Sequence, residues 1–462
     1  MTTRTRTAPP TVAVIGGGFS GLLTAIHLLH AHPDLIMRLV ERAPQFGRGR
    51  AYETGNLDHL LNLRVANMSA FPDRPDHFAA WLRAKGDCAG PGAFVSRNRY
   101  GDYLQSLLRQ HISHPDNAGR FLLEQDEAVD IGRVDGRSVV KLNLGRSFEA
   151  DAVVLAVGSP APSPPQGADD AVIASPNYFA DPWSLDLAAV PKGDVLVIGA
   201  GLTMVDVALS LAGEGRRLTA LSRHGLLPRS HAPTQPSAPP RGPTDRPLRA
   251  LRTLRAYARK VGWREAVDSI RPQTAIIWAS WPLEERRRFL RHAQTWWDVH
   301  RHRMAPTVAH RISELVAAGD LEIFGSRLER IRTIDGGFEA RFQRSADRHW
   351  ITRRFSAVIN CTGFRGALEP GERGLLGRLA GRGALRADPF GLGLDVDHEL
   401  RVIDASGRPS PGLFAVGPLT RCAFWEAVAV PDLRNHTSAV ARAVMDGLDQ
   451  LEEAPAFPQA IN

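Results

Sequence analysis

The chain has 462 residues, 43% of them apolar, which is enough for two or more cores and excludes a disordered or fibrous protein. Its formal net charge of +8 is local: residues 244–303 hold 14 Lys and Arg against 6 Asp and Glu, a difference of 14 − 6 = 8, so the remainder is balanced. With no recognisable nucleic-acid module beside that charge, nucleic acid is not the expected partner. Cys88, Cys361 and Cys422 stand alone without a C-x-x-C pair, which argues against a disulfide scaffold, a zinc site and a dithiol relay. The N-terminal MTTRTRTAPP has no apolar core of a secretory signal and no run of 18 uncharged apolar residues occurs, so the expectation is a cytoplasmic protein without a membrane span.

Thr11 to Leu29, TVAVIGGGFSGLLTAIHLL, reads as an apolar strand, a glycine-rich turn and a helix. Gly16, Gly18 and Gly21 have G-x-G-x-x-G spacing. The first glycine permits the tight turn, the second lets backbone approach a pyrophosphate, and the third lets helix and strand pack closely. The helix N-terminus adds unpaired N–H groups and the positive end of a dipole. The next strand ends on Glu41, 20 residues after Gly21 (41 − 21), where a carboxylate can accept from ribose hydroxyls and would repel a 2′-phosphate. The expected ligand is the ADP half of FAD or NAD.

Phe46 to Leu82 is punctuated by Gly, Asn and Pro and reads as a structured loop before a short helix. Arg97 to His111 has apolar residues at helical spacing. The stretch from Phe121 through Leu144 reads as a hairpin or meander turning at Asp135-Gly136, and DAVVLAVG, Asp151 to Gly158, as a buried strand followed by a proline-rich break.

A second cycle follows. Asp194 to Ala212, DVLVIGAGLTMVDVALSLA, repeats strand, turn and helix, with Gly199 and Gly201 in register and Met204 where a third glycine would stand. The strand after it ends in Ser222, Arg223 and His224 instead of an acid. A guanidinium there can grip a 2′-phosphate bidentately, which favours NADPH over NADH; the bland alternative is an exposed surface arginine. Leu321 to Phe342 gives another hairpin, turning at Asp335-Gly336-Gly337, and SAVINCTG, Ser356 to Gly363, mirrors DAVVLAVG. The chain thus reads as an internal duplication with two dinucleotide sites. The fold class is α/β, two Rossmann-like dinucleotide-binding domains with β-meanders and a helical insertion in the second.

Residues 10–190 and 345–450 are assigned to a discontinuous FAD-binding domain, 191–344 to a NAD(P)H-binding domain with a helical insertion at about 244–316, and 451–462 to a flexible tail. Within the insertion, Arg288, His292, Trp296, His300 and Arg303 recur at steps of 4, 4, 4 and 3, a spacing that predicts one helical face. Such a stripe serves as core and cap, or the insertion supplies Arg and His groups to an anionic small-molecule substrate or to cofactor phosphates, with Arg291, His292, His300 and Arg303 as the candidates. His300 and His302 diverge on a helix, so no metal is expected. Gly412 to Met445 reads as strand, glycine turn and helix returning to the first domain.

The order of glycine finger, AVG strand, second finger with Arg223, CTGF strand and C-terminal AVGP resembles the two-dinucleotide-binding-domain flavoproteins, which include flavin monooxygenases, thioredoxin reductases and amine N-hydroxylases. GRGRAY, HLLN, MSAFPDRPDHFAAWL, GLTMVD, SRHGLLPRSH, WDVHRHRMAP and FWEAVAVPDLR are similar to a bacterial FAD/NAD(P)-binding protein family. The resemblance implies FAD at Gly16, Gly18, Gly21 and Glu41, with Arg50, Asn62, Arg99 and Gly417 nearby, and NADPH at Gly199, Gly201, Ser222 and Arg223. It also implies hydride transfer from NADPH to the flavin, with molecular oxygen or a diffusible acceptor next. The leading expectation is an NADPH-dependent monooxygenase acting on a small nitrogen or sulfur nucleophile. VIASPNYFADPW, Val172 to Trp183, departs from the F-x-G-x-x-x-H pattern that flavin monooxygenases carry before the second finger. The alternatives are a NAD(P)H-dependent reductase serving a quinone, ferredoxin or other small acceptor, and a redox-sensing flavoprotein. The catalytic residues, the substrate and the oligomeric state are left open.

Overall fold

A computed structural model describes residues 8–159, 162–363 and 374–453. The chain opens with β1 (Thr11–Ile15), α1 (Phe19–Ala31) and β2 (Ile36–Glu41). All five residues of β1 are buried, the continuous apolar run required of a parallel strand covered on both faces. A long loop leads to α2 (His77–Ala84) and α3 (Arg97–Ile112). Ser96 caps α3, its Oγ accepting from the Arg99 N–H at 3.2 Å. Then come β3 (Phe121–Gln125), β4 (Ala128–Val134), β5 (Arg137–Leu142), β6 (Ser147–Ala150) and β7 (Ala152–Leu155).

The expected Phe121–Leu144 hairpin is corrected in part. β3 lies parallel to β2, in register Met37↔Phe121, and the hairpin is β4 with β5 alone. Its turn uses Asp135 (φ +48°) and Gly136 (φ +82°), both left-handed as a two-residue Asp-Gly turn demands.

The second cycle comprises α4 (Asp170–Ile173), β8 (Tyr178–Phe179), β9 (Gly193–Ile198), α5 (Leu202–Leu211) and β10 (Arg216–Ser222). Six helices follow: α6 (Pro247–Val261), α7 (Trp263–Ile270), α8 (Thr274–Ser280), α9 (Leu283–His292), α10 (Gln294–Arg301) and α11 (Pro306–Ala318). The chain then forms β11 (Leu321–Ile334), β12 (Gly337–Arg344), β13 (Trp350–Phe355) and β14 (Ala357–Asn360). It closes with α12 (Leu375–Gly381), β15 (Arg401–Ile403), β16 (Pro409–Ala415) and α13 (Val430–Glu453).

The first sheet runs β15-β16-β7-β1-β2-β3 and the second β13-β12-β11-β10-β9-β14-β8. The order β7-β1-β2-β3 recurs as β14-β9-β10-β11, all parallel. Strand alternation feeds two cores per sheet: Val12 and Val14 face one cluster and Ala13 and Ile15 the other, as do Val195 and Val197 against Leu196 and Ile198. Met204, fully buried, joins the core beneath β9.

The second sheet extends past the expected domain limit. β13 and β14 belong to the second sheet, as does β8, so the expected division at 344/345 falls inside that sheet and its membership runs from Tyr178 to Asn360. In the insertion, Ala293 (φ −117°, ψ −24°) separates α9 from α10. The stripe from Arg288 to Arg303 therefore spans two helices and the linker after them, not one face. α13 continues to Glu453, so residues 451–453 of the expected tail are helical, and residues 454–462 lie outside the described residues.

Candidate functional site

The first glycine turn is fixed by clearance. Gly16 (φ +106°) would carry a Cβ 2.4 Å from the Ala156 carbonyl oxygen, and a Cβ on Gly21 would stand 1.8 Å from the Gly16 oxygen. No side chain fits at either position. The loop after β2 folds onto the turn: the Gly47 N–H donates to the Gly17 oxygen at 2.7 Å, and Gly49 comes within 3.4 Å of where a Gly18 Cβ would be. Gly18 precedes α1 without a side-chain cap, and the first turn holds no acid, so the opening N–H groups and the positive dipole end suit an anion. Glu41, at the end of β2, accepts from the Gly17 N–H at 2.7 Å and the Ala43 N–H at 2.9 Å. From the far end of the chain, Gly417 (φ +93°) would put a Cβ 3.1 Å from Ser20 Oγ in the first turn of α1.

The second turn repeats this. Gly199 (φ +114°) would carry a Cβ 2.4 Å from the Cys361 oxygen, whereas a Cβ on Gly201 would meet nothing within 4 Å. α5 likewise starts with neither cap nor acid. After β10, Ser222 Oγ accepts from the Gly225 N–H at 3.0 Å, tightening the turn that presents Arg223. Arg223 is exposed, and its guanidinium has no partner among the described residues.

The flanking candidates fare differently. Arg50 is ion-paired with Asp181 at 2.7 Å. The Asn62 carbonyl meets His231 Nε2 at 3.0 Å. Arg99 is paired with Asp87 at 3.4 Å and stands over the ring of Trp81 at 5.2 Å. Arg48, which the spacing did not single out, is held by the carbonyls of Tyr52 (3.3 Å) and Asn98 (3.2 Å) and by Asp102.

The two units meet along a polar seam. Arg97 pairs with Asp206 of α5 at 2.8 Å, with only 11% and 12% of their side chains exposed. His59 Nε2 lies 3.0 Å from the Asp206 carbonyl and 2.9 Å from Ser210 Oγ. Burial raises the Asp206 carboxyl above its usual range against the pull of Arg97, and burial lowers the His59 imidazole. A cavity of about 360 Å³ opens along this seam, lined by Arg50, Thr54, His59, Trp183, Thr203 and Asp206 among others. A larger apolar cavity of about 770 Å³ lies between α8, α9 and the 386–398 segment, and no residue of either glycine turn lines it.

Of the substrate candidates, Arg291 and His292 are exposed at the end of α9. His300 stands edge-on to Trp263 at 4.9 Å, with Nδ1 2.7 Å from the Trp296 carbonyl. Arg303 is 2% exposed and paired with Asp268. Thus Arg303 is gathered inward while Arg291 and His292 are not. Its companions are residues the spacing did not single out. Arg301 pairs with Glu426 at 2.9 Å, both 4% exposed, and Arg271 pairs with Asp432 at 2.7 Å. Arg421 lies over Trp425 at 4.5 Å. Burial, and then the guanidinium groups of Arg301, Arg421, Arg271 and Arg303, push the His302 imidazole well below its usual range. The available signal was the pair of segments WDVHRHRMAP and FWEAVAVPDLR, whose contact no spacing rule reports.

The FAD-NAD(P)-binding family, NAD_binding_9, has a model that matches residues 13–160, from β1 through β7 and just beyond. That stretch is an FAD-NAD(P)-binding domain. An uncharacterised protein of Escherichia coli strain K12, YdhS, is 22% identical over 253 residues, covering 47% of this chain and 46% of that protein. The chain therefore spans about half the length of the curated relative it matches. Beyond the FAD-NAD(P)-binding domain, solved structures share the architecture over nearly the whole chain. L-lysine 6-monooxygenase from Pseudomonas syringae is similar with a TM-score of 0.64 and 19% identity, covering 95% of this chain and 99% of that one. Ornithine N-hydroxylase from Kutzneria, solved with reduced FAD, NADP+ and L-ornithine, gives 0.62 and 15% over the same shares. Bacillithiol disulfide reductase from Staphylococcus aureus gives 0.55 and 12%, again over 95% and 99%. No helix among the described residues is long and apolar enough to cross a membrane.

Proposed function

We propose that the chain is an FAD- and NADPH-dependent oxidoreductase, a monooxygenase acting on a small nitrogen or sulfur nucleophile. The observation that carries the reading is the pair of glycine cradles, each at the end of a parallel strand and each opening an uncapped helix, joined by the Arg97–Asp206 seam. Gly16 and Gly21 let the turn close and α1 pack on β1, Gly18 and Gly417 keep side chains away from the helix start that would face the FAD pyrophosphate, and Glu41 takes the adenosine ribose. Gly199 and Gly201 leave room for the second nucleotide, whose 2′-phosphate Arg223 grips beside Ser222. FAD, when bound, supplies hydride acceptance from NADPH and passage of electrons to oxygen. The protein's part is to hold the two ligands in register and to keep water from the reacting atoms.

A thiol relay gains no support. Cys88 is exposed, Cys361 and Cys422 are buried, all three are free, and burial pushes both inner thiols up. Likeness to the lysine and ornithine hydroxylases favours oxygen as the acceptor. The test is turnover of NADPH under oxygen-18 gas with candidate amines and thioethers. Label in an organic product supports the monooxygenase; full recovery of the electrons as peroxide, or transfer to a quinone with no labelled product, refutes it.

A further inference from the structure

Arg301 and Arg303 flank His302 in the chain, Arg301 reaches Glu426, Arg271 reaches Asp432, and Arg421 lies over Trp425 beside Glu426, where the helical insertion packs against the 421–434 segment. The guanidinium groups of Arg271, Arg301 and Arg303 are each met by one carboxylate, from Asp432, Glu426 and Asp268 respectively. Asp298 stands 3.9 Å from His302. Arginine presents five N–H donors, so one carboxylate cannot satisfy it. Arg301 Nε, Arg303 Nε and Nη1, and Arg421 Nε are all buried without an acceptor among the described residues. Leaving such donors unmet is costly, and arginine cannot escape by losing its proton. Two of these side chains are more than nine-tenths buried, at 4% and 2% exposure for Arg301 and Arg303. A planar or tetrahedral oxyanion would satisfy several of these donors at once.

The cluster adjoins the returning C-terminal glycine turn. Arg421 follows four residues after Gly417, whose backbone abuts Ser20 of α1, and its N–H donates to the Pro418 carbonyl at 3.3 Å. On the other side, His231, lowered to about 4 by burial and by Arg303, reaches Asn62 of the first unit.

We propose that the Arg301, Arg303 and Arg421 donors around His302 bind an oxyanion group of the substrate, so that the substrate is an anion and not a diamino acid. This rests on the reading of the chain as a two-nucleotide oxidoreductase. A second ammonium, such as L-ornithine carries, would be repelled by the same groups.

The experiment is calorimetric titration of the flavin-loaded protein with glutarate and, separately, inorganic phosphate at low salt, repeated with saturating 2′,5′-ADP. Arg421 is the position to vary, because among the described residues no acid is ion-paired with it. The expected result is one site for at least one probe, unaffected by 2′,5′-ADP and weakened at least tenfold by Arg421→Gln, with part of the affinity recovered in Arg421→Lys. Tighter glutarate marks a carboxylate substrate and tighter phosphate a phosphorylated one. Failure of both probes to bind at millimolar concentration overturns the proposal. So does displacement by 2′,5′-ADP, which assigns the cluster to the nicotinamide nucleotide, or loss of flavin in Arg421→Gln, which assigns it to FAD. Because the titration reads binding and not turnover, its failure is separate from failure of the oxygenase assay.

Discussion

In the proposed reading, Arg223 is the side chain that sets the choice between NADPH and NADH. It follows β10 directly, close to where Glu41 closes β2 in the first unit, and its guanidinium has no partner among the described residues. A charge-assisted contact to a 2′-phosphate is worth about 1.5–3 kcal/mol, so Arg223→Ala should weaken NADPH binding about ten- to a hundredfold and leave NADH nearly unchanged. Equal losses for both nucleotides in a dissociation-constant measurement would remove Arg223 from that role. Glu41 has two duties, since the carboxylate that would take the ribose also holds the Gly17 and Ala43 N–H groups. Glu41→Ala should therefore purify poor in flavin, and full flavin absorbance per protein would contradict the assignment. The placement of both residues at strand ends was legible in the sequence because finger and strand end are separated by a short, fixed span of chain. Arg301 and Arg421 were not, because burial of an arginine depends on what packs over it.

At the level of elements, local pattern and tertiary context part company in the insertion. Periodicity joined Arg288 to Arg303 on one face, but the chain breaks at Ala293, and α10 buries Val299 and Arg301 while leaving Trp296 48% exposed. The aromatic group of Trp278, Trp281, Phe289 and Trp425 pulls α8 and α9 onto the C-terminal segment, with Trp278 Nε1 donating to the Cys422 carbonyl at 2.6 Å. The Arg301–Glu426 pair locks α10 to that same segment. Glu426→Ala would leave a buried guanidinium uncompensated and remove the acceptor facing Trp297 Nε1, a loss of about 3–5 kcal/mol in urea unfolding. A loss below about 1 kcal/mol would show that the pair is relaxed by water. β3 was misassigned for a related reason: a strand's partner is decided by the sheet, and adjacency in sequence to β4 carried no information about pairing with β2.

Across the whole molecule, the repeated order of four parallel strands was readable because each half repeats its own turn and returning strand. The seam between the halves and the position of the domain limits were not, since they depend on long-range pairing of β8, β13 and β14. Packing also shapes the pH response. Eight histidines, His27, His30, His59, His77, His111, His231, His302 and His436, are lowered by burial below 6.5, two of them, His27 and His231, to about 4. Below 6.5 the unfolded chain takes up protons that the folded chain refuses, so stability is full above that value and is lost as pH falls toward about 4. Asp206 and Asp388, raised by burial, act in the opposite sense, and they are fewer. The melting temperature should accordingly be lower at pH 5 than at pH 7.5, and an equal or higher value would contradict the buried, neutral histidines. The two-cradle reading itself is tested most directly by anaerobic titration of the purified, flavin-reconstituted protein with NADPH. The expected result is tightly held yellow flavin that bleaches with one equivalent of NADPH; a protein that takes up no flavin, or whose bound flavin stays oxidised under excess NADPH and NADH, would contradict it.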